Sequence, residues 1–339
     1  MKAAIIEKPG VVRVDQTKDP TPGPGEVLIA VKAAGVCGTD VHIYEGNFTC
    51  TYPLIPGHEI AGDIVEIGPR VEDLSVGQRV AVEPNVPCRQ CFYCQRHQTH
   101  FCENLKAYGV SLPGGCAERV VVRAENVYPI GDLSFEEGAL LEPLGCVLHG
   151  IELIRVDPGD EVLIFGLGPI GTLLFQVCKI SGASTVVGVD VSSRKVEQAR
   201  SLGLDEGIMA EGDPRFQIME QYPSGFDVVI DATGVPTVVE GLPPYARYGG
   251  SILYFGVCPQ DHPIQVDPFD VYRRELKILG TFSLVGNFNR AIKLTQAGRV
   301  DLRALVSHRF RLEDFAKVLD MKRHGEEARK ILIVCEQQT

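Results

Sequence analysis

Residues Glu161–Phe165 form a short apolar run that ends in Gly166-Leu167-Gly168-Pro169-Ile170-Gly171 and then opens into a helical pattern. A strand, a G-x-G-x-x-G turn and a helix, in that order, admit few folds. The first glycine allows the tight turn, and the second lets backbone approach a pyrophosphate. The third lets helix and strand pack closely, while the helix N-terminus stabilises the anion. Alone, such a turn also fits an ordinary strand–helix connection. Asp190 narrows the reading, because it ends the next strand candidate, Thr185–Asp190, where an acid accepts the ribose hydroxyls of NAD and repels the 2′-phosphate of NADP. Arg194 and Lys195 follow and temper that preference, unless they are only solvated charges at a helix start.

The alternation continues. Strand candidates lie at Phe226–Asp231, 251–255 and 276–282, with helical stretches at 169–180, 194–202 and 236–246. Near-continuously apolar strands alternating with helices imply a parallel sheet covered on both faces. Residues 1–145 have a different texture: short β patterns at 27–31, 60–67, Arg79–Val82 and 118–122, broken by Gly and Pro. They read as an all-β body carrying long functional loops. The stretch 283–339 holds helical segments at 289–297 and 313–322 and strand candidates at 305–310 and Lys330–Val334. It is short for a domain and is expected to fold back onto the first segment. A chain of 339 residues fits two domains at roughly 100–200 residues each.

Composition removes whole classes. Hydrophobic residues make up 45% and charged residues 23%, which excludes disorder and collagen-like order. No apolar run approaches the ~20 residues of a membrane span. Glu7 and Pro9 interrupt the region where a signal peptide needs an apolar stretch, so a cytoplasmic location is expected. The net charge of −11 opposes a nucleic-acid partner.

Eleven cysteines are present, and four of them, Cys88, Cys91, Cys94 and Cys102, crowd into one polar loop. Four thiolates with two-residue gaps suit a closed, tetrahedral structural zinc site. An iron–sulfur cluster is the main competing reading, and a zinc-ribbon nucleic-acid module the other. Arg89 and Arg96 are the only basic residues between Cys88 and Cys102 to support the latter. A second constellation is dispersed. Cys37 follows an apolar strand, His58-Glu59 follows Pro56-Gly57, and Glu142 sits inside an apolar stretch. A thiolate, an imidazole and one or two carboxylates leave zinc a position for water or substrate. Spacing alone also fits bland roles, with Cys37 as a small hydrophobe and His58 or Glu142 as hydrogen-bonded structure.

At this point the chain resembles the zinc-dependent medium-chain dehydrogenases, the alcohol and polyol dehydrogenase superfamily. The resemblance rests on Gly35-Val36-Cys37-Gly38-Thr39-Asp40-Val41-His42, Pro56-Gly57-His58-Glu59-Ile60-Ala61-Gly62, the four-cysteine loop, Gly114-Gly115-Cys116-Ala117-Glu118, Leu141-Glu142-Pro143-Leu144 and Gly166–Gly171, in order along nearly the whole chain. It is similar to the sorbitol (iditol) and sugar-alcohol branch in carrying Glu142-Pro143, where ordinary alcohol dehydrogenases use a cysteine ligand in the stretch corresponding to 140–150; Cys146 lies nearby and stays open as a ligand. The other cysteines, at 50, 116, 178, 258 and 335, are scattered and read as structural.

The resemblance implies an α/β protein: a GroES-like β-rich catalytic domain from 1–145 with the returning segment 283–339, and a Rossmann domain at 146–282. It implies an active site in the cleft between them and a homo-tetramer or homo-dimer. Cys37, His58 and Glu59 would bind a catalytic zinc, with Glu142 binding directly or through water. Cys88, Cys91, Cys94 and Cys102 would bind a structural zinc, making two per chain. Thr39 and His42 would relay the proton. Ile170 and Lys195 would contact the two halves of NAD, and Val257 and Phe282 would line the nicotinamide site, although both also fit plain core. The implied reaction is hydride transfer from a secondary alcohol, a polyol or sugar alcohol, to NAD. One departure bears on the substrate. Sorbitol dehydrogenases carry an Arg-Tyr pair where this chain has Ser283-Leu284, which argues against sorbitol itself. Related branches act on threonine, butanediol, aldonates, inositols or sugar-alcohol phosphates, and Arg273, Arg274 and Arg290 are available for a phosphate. A non-enzymatic zinc- and nucleotide-binding protein is the reading from another class, and the mixed ligand set and acidic charge speak against it.

Overall fold

The computed structural model describes residues 1–48, 50–324 and 328–335. The chain divides into two compact units, Met1–Gly145 with Val285–Thr339, and Cys146–Leu284.

In the Cys146–Leu284 unit, six parallel strands lie in the spatial order Glu206–Met209, Thr185–Asp190, Glu161–Phe165, Phe226–Asp231, Ala246–Tyr254, Lys277–Gly280. In chain order this is 3-2-1-4-5-6, the doubly wound dinucleotide-binding arrangement. Its ligands bind at the strand carboxyl ends where the order reverses, here beside Glu161–Phe165. The middles of the central strands are apolar because both faces are covered; Leu163, Val187, Val229 and Ile252 are buried in one core. Helix Pro169–Ser181 starts with proline, whose missing N–H costs nothing at a first turn, and stops at Gly182, held at φ +108°.

Three elements of this unit carry too little periodicity to read from sequence: the four-residue strand Glu206–Met209 and helices Arg215–Gln221 and Pro268–Arg274. The expected helix at 236–246 is also corrected. It ends at Glu240, a 3-10 turn covers Pro243–Tyr245, and Ala246 already begins a strand. Pro243 and Pro244 remove the N–H donors that a continuous helix needs.

In the other unit, a seven-stranded sheet runs in the order Val306–Phe310, Lys330–Val334, Glu26–Val36, Glu59–Ile67, Arg79–Val82, Val127–Pro129, with Arg119–Arg123 also pairing Glu26–Val36. Register decides the local chemistry. Gly35 pairs with Glu59, and Val36 pairs with Ile331. The end of one strand and the starts of two others therefore meet at one end of the sheet. The all-β expectation needs correction here. Helix Gly38–Glu45 follows Cys37 directly, and helix Phe135–Ala139 is closed by a Ser134/Glu137 capping box. Helix Phe315–Arg323 buries Phe315, Val318 and Leu319 in the same core as Ile64 and Ile331.

Candidate functional site

Strand Glu26–Val36 ends at Cys37, whose backbone N–H donates to Asp40 Oδ2 at 2.8 Å. Asp40 Oδ1 accepts the N–H of Gly57 at 3.2 Å and lies 3.8 Å from His58 Nδ1. One fully buried carboxylate thus ties the Cys37 turn to the His58 loop. The loop is clamped from its other side, where Gly114, Gly115 and Cys116 donate their N–H groups to Ile55, Gly57 and Pro56 carbonyls at 2.8, 2.8 and 2.9 Å. Gly57 is required there, since φ is +93° and a Cβ would stand 2.6 Å from Cys116 Sγ.

These constraints bring Cys37, His58 and Glu59 together, each offering one ligand atom within 4.8 Å of the others. His58 Nδ1 and Glu59 Oε2 are buried without a hydrogen-bond partner. The His58 nitrogen faces Asp40, whereas an unpaired buried carboxylate oxygen costs about 1–3 kcal/mol, so Glu59 Oε2, on a residue of this cluster, marks a place for a ligand. Thiolate, imidazole and carboxylate are the donor types zinc takes, and three protein donors leave a further position open. Zinc fits this set. Burial works against a charged His58, but the hydrogen bond to Cys37 and the charge of Asp40 hold its pKa well above the usual imidazole range. Burial likewise opposes the Cys37 thiolate, yet His58 and Lys330 keep that thiol below its ordinary value.

Glu142 lies in the first turn of helix Leu141–Ile154 and is 9% exposed. It falls outside the 4.8 Å set, although its negative charge acts on both His58 and Lys330. Cys146 is also outside that set. Thr39 Oγ1 lies 3.8 Å from Cys37 Sγ, and His42, one turn along the same helix, is exposed. Two functional residues escaped sequence reasoning. Asp40 stood within the Cys37 motif without a role. Lys330, a lone charge opening an apolar strand, pairs with Glu59 at the protein's interior.

The four-cysteine loop is built locally. Cys88, Cys91, Cys94 and Cys102 offer sulfurs all within 4.8 Å of one another, and the Cys88 N–H donates to Cys102 Sγ at 3.1 Å. Helix Phe92–Gln95 starts just after the second thiol and carries the third. Backbone N–H groups, that of Gln90 foremost, draw the Cys88 thiol down to about 6, while burial pushes Cys94 up to about 12. Four sulfurs, with no other donor in their set among the described residues, suit a closed structural zinc.

In the doubly wound unit the three glycines do three different things. Gly166 sits at φ +95°, a Cβ on Gly168 would meet nothing within 4 Å, and a Cβ on Gly171 would stand 1.8 Å from the Gly166 carbonyl oxygen. The open space over Gly168, at a helix N-terminus lacking a side-chain cap, is a cradle that a dinucleotide pyrophosphate fits. Asp190 Oδ2 accepts the Leu167 N–H and its Oδ1 the Ser192 N–H, both at 2.9 Å, so the glycine turn is fastened to the acid. Lys195 Nζ lies 3.6 Å from Asp190, and Ile170 is half-buried in the first helical turn. Val257 is 81% exposed and Phe282 54%, so neither is plain core in this structure. Arg274 is committed elsewhere, bonding the Pro243 carbonyl at 3.1 Å and Asp270 at 2.8 Å, which takes it from any phosphate-binding trio.

Comparison with known proteins agrees with these two architectures. The family description "Alcohol dehydrogenase GroES-like domain" matches residues 23–132, and "Zinc-binding dehydrogenase" matches residues 169–297. The chain is 38% identical to D-arabinitol dehydrogenase 1 of Uromyces fabae, over 94% of this chain and 93% of that protein. It is 36% identical to D-altritol 5-dehydrogenase of Agrobacterium fabrum, over 92% and 93%. It is 32% identical to L-threonine 3-dehydrogenase of Yersinia enterocolitica, over 92% and 93%. A zinc-binding dehydrogenase of Sinorhizobium meliloti solved with NADP superposes with a TM-score of 0.93 at 33% identity, covering 98% and 99%. The chain belongs to the zinc-binding, GroES-like alcohol dehydrogenase family, and it is an oxidoreductase acting on alcohols.

Proposed function

We propose that this chain oxidises a secondary hydroxyl of a sugar alcohol to a ketone, with NAD as the hydride acceptor. The reading rests above all on the near-full-length similarity to two polyol dehydrogenases, joined to a donor set in which Glu142-Pro143 stands in the polyol position. Bound zinc supplies Lewis-acid polarisation that lowers the alcohol's pKa, and bound NAD supplies the carbon that takes up hydride. Cys37, His58 and Glu59 would hold the metal, and Glu142, outside their immediate set, would act through water. Asp40 holds the His58 loop in place, as a carboxylate behind a ligand histidine does. Thr39, beside Cys37, and His42, an exposed imidazole one turn further on, would serve as the inner and outer groups of the proton relay. Gly166, Gly168 and Gly171 admit the pyrophosphate. Asp190 selects NAD by its charge, and Ile170, Lys195, Val257 and Phe282 orient the dinucleotide. Ser283, held at φ +61° where sorbitol dehydrogenases place arginine, favours a substrate other than sorbitol.

A threonine-type amino-alcohol reaction is the second reading, carried by the 32% identity to L-threonine 3-dehydrogenase. A homo-tetrameric or homo-dimeric cytoplasmic enzyme completes the proposal, with light scattering as the check on assembly. The deciding experiment follows NADH formation with pentitols, hexitols, their phosphates, 2,3-butanediol and L-threonine. Turnover concentrated on free pentitols or hexitols supports the polyol reading. Turnover confined to threonine overturns it.

A further inference from the structure

Lys330 opens the strand Lys330–Val334, next to the register pair Val36–Ile331, and its side chain is almost wholly buried. Its ammonium bonds Glu59 Oε1, while Glu59 Oε2 is buried with no hydrogen-bond partner. The carboxylate is therefore divided, with one oxygen spent on a cation and the other left bare, in a residue that offers one oxygen to the cluster with Cys37 and His58. A pair serving only the fold would be expected to satisfy both oxygens, because each buried lone pair left unmet is costly. Gly35 adds to the division. A Cβ there would stand 1.8 Å from Oε2, so the strand beneath is stripped to admit that oxygen.

We propose that Lys330 is a positioning residue that restricts Glu59 to a single oxygen toward the metal and so preserves the open position for the alcohol. The inference rests on the reading of Cys37, His58 and Glu59 as a metal centre. Without the ammonium, Glu59 has both oxygens free, and the site carries one more uncompensated negative charge. The carboxylate then grips a cation more tightly and occupies more of its coordination sphere. Arginine would act in the opposite direction, because its planar fork can take both oxygens at once and draw the carboxylate off.

The test measures zinc release to a chelator from the fully loaded enzyme, with Lys330→Met, Lys330→Gln and Lys330→Arg beside the unsubstituted chain. Release from the Cys37 site is expected to slow at least tenfold in Lys330→Met, to slow less in Lys330→Gln, and to quicken in Lys330→Arg. With cobalt exchanged into that site and zinc kept in the four-cysteine loop, Lys330→Met should lose visible d–d intensity, the mark of a higher coordination number. A purely structural pair predicts release as fast as, or faster than, the unsubstituted chain in every variant, and that result overturns the proposal. Lys330→Gln decides the matter where Lys330→Met does not fold. An unsubstituted chain holding one zinc instead of two fails the metal-site reading itself, and is told apart by metal analysis before any variant is made.

Discussion

The two clusters whose side chains could hold a metal differ in how far the chain travels to build them. The four thiols of the Cys88–Cys102 loop are supplied by one segment with two short helical turns inside it. The Cys37 cluster draws on the ends of three strands, with Asp40 and Lys330 behind its ligands; Lys330 and Glu59 stand 271 positions apart. The first is closed by sulfur on every side. The second mixes three donor types, leaves two buried polar atoms unpaired, and is pinned by a loop that a glycine-rich segment clamps. A local cluster of identical donors serves to hold a loop. A dispersed cluster of unlike donors, over-determined by its surroundings, is where chemistry is placed.

Substitutions can break that contrast. The largest effect is expected from Cys37→Ser. Turnover should fall at least a thousandfold, zinc should drop from two per chain to one, and NADH binding followed by fluorescence should persist. Gly171→Ala comes next. A methyl 1.8 Å from the Gly166 carbonyl must push helix and strand apart, so dinucleotide affinity should fall at least tenfold in titration calorimetry, with about 1–3 kcal/mol lost in denaturant unfolding. Cys94→Ser sharpens the comparison. It should remove the loop metal and lower Tm by several degrees, while kcat of the remaining folded enzyme at low temperature stays within about threefold. Loss of both metals would show instead that the Gly114–Cys116 clamp, which follows the loop in sequence, joins the two regions into one. Asp190→Ser should raise kcat/KM with NADP at least tenfold relative to NAD, because the charge opposing a 2′-phosphate is gone.

The smallest effect concerns pH. Burial pushes Glu137 up, but hydrogen bonds from Arg303 and Ser134 outweigh it and hold this carboxyl below its usual value. Its contribution to stability is therefore present above the ordinary carboxylate pKa of about 4.3 and is lost as pH falls through the lower, folded value. Glu137→Gln should lower Tm by about 2 °C at pH 7, and the gap should close below about pH 4, as followed by circular dichroism.

What could be read in advance follows the same division of near and far. Strands Glu161–Phe165, Thr185–Asp190 and Phe226–Asp231 are legible because parallel strands buried on both faces carry apolar runs such as Val162–Phe165 and Val228–Ile230. The glycine turn is legible because Gly166 and Gly171 answer constraints of backbone angle and close packing inside that same turn. Helix Gly38–Glu45 is not, as it has no apolar stripe, with Asp40 and Ile43 its only buried residues; tertiary bonds from Asp40 hold it. Arg274 looked available to a phosphate and proves to be bound to helix and strand carbonyls and to Asp270. The placement of Glu142 beyond the immediate ligand set likewise depends on where helix Leu141–Ile154 begins, which no spacing reveals.

Residue order alone was enough for the four-thiol loop, the dinucleotide turn and the change of texture near residue 150, because in each the interacting groups lie within a few residues and backbone geometry dictates their meeting. The pairing of Gly35 with Glu59 and of Val36 with Ile331 belongs to the folded sheet. Register is chosen by burial of whole strand faces, so Lys330 comes to pair with Glu59, a member of the cluster with Cys37 and His58.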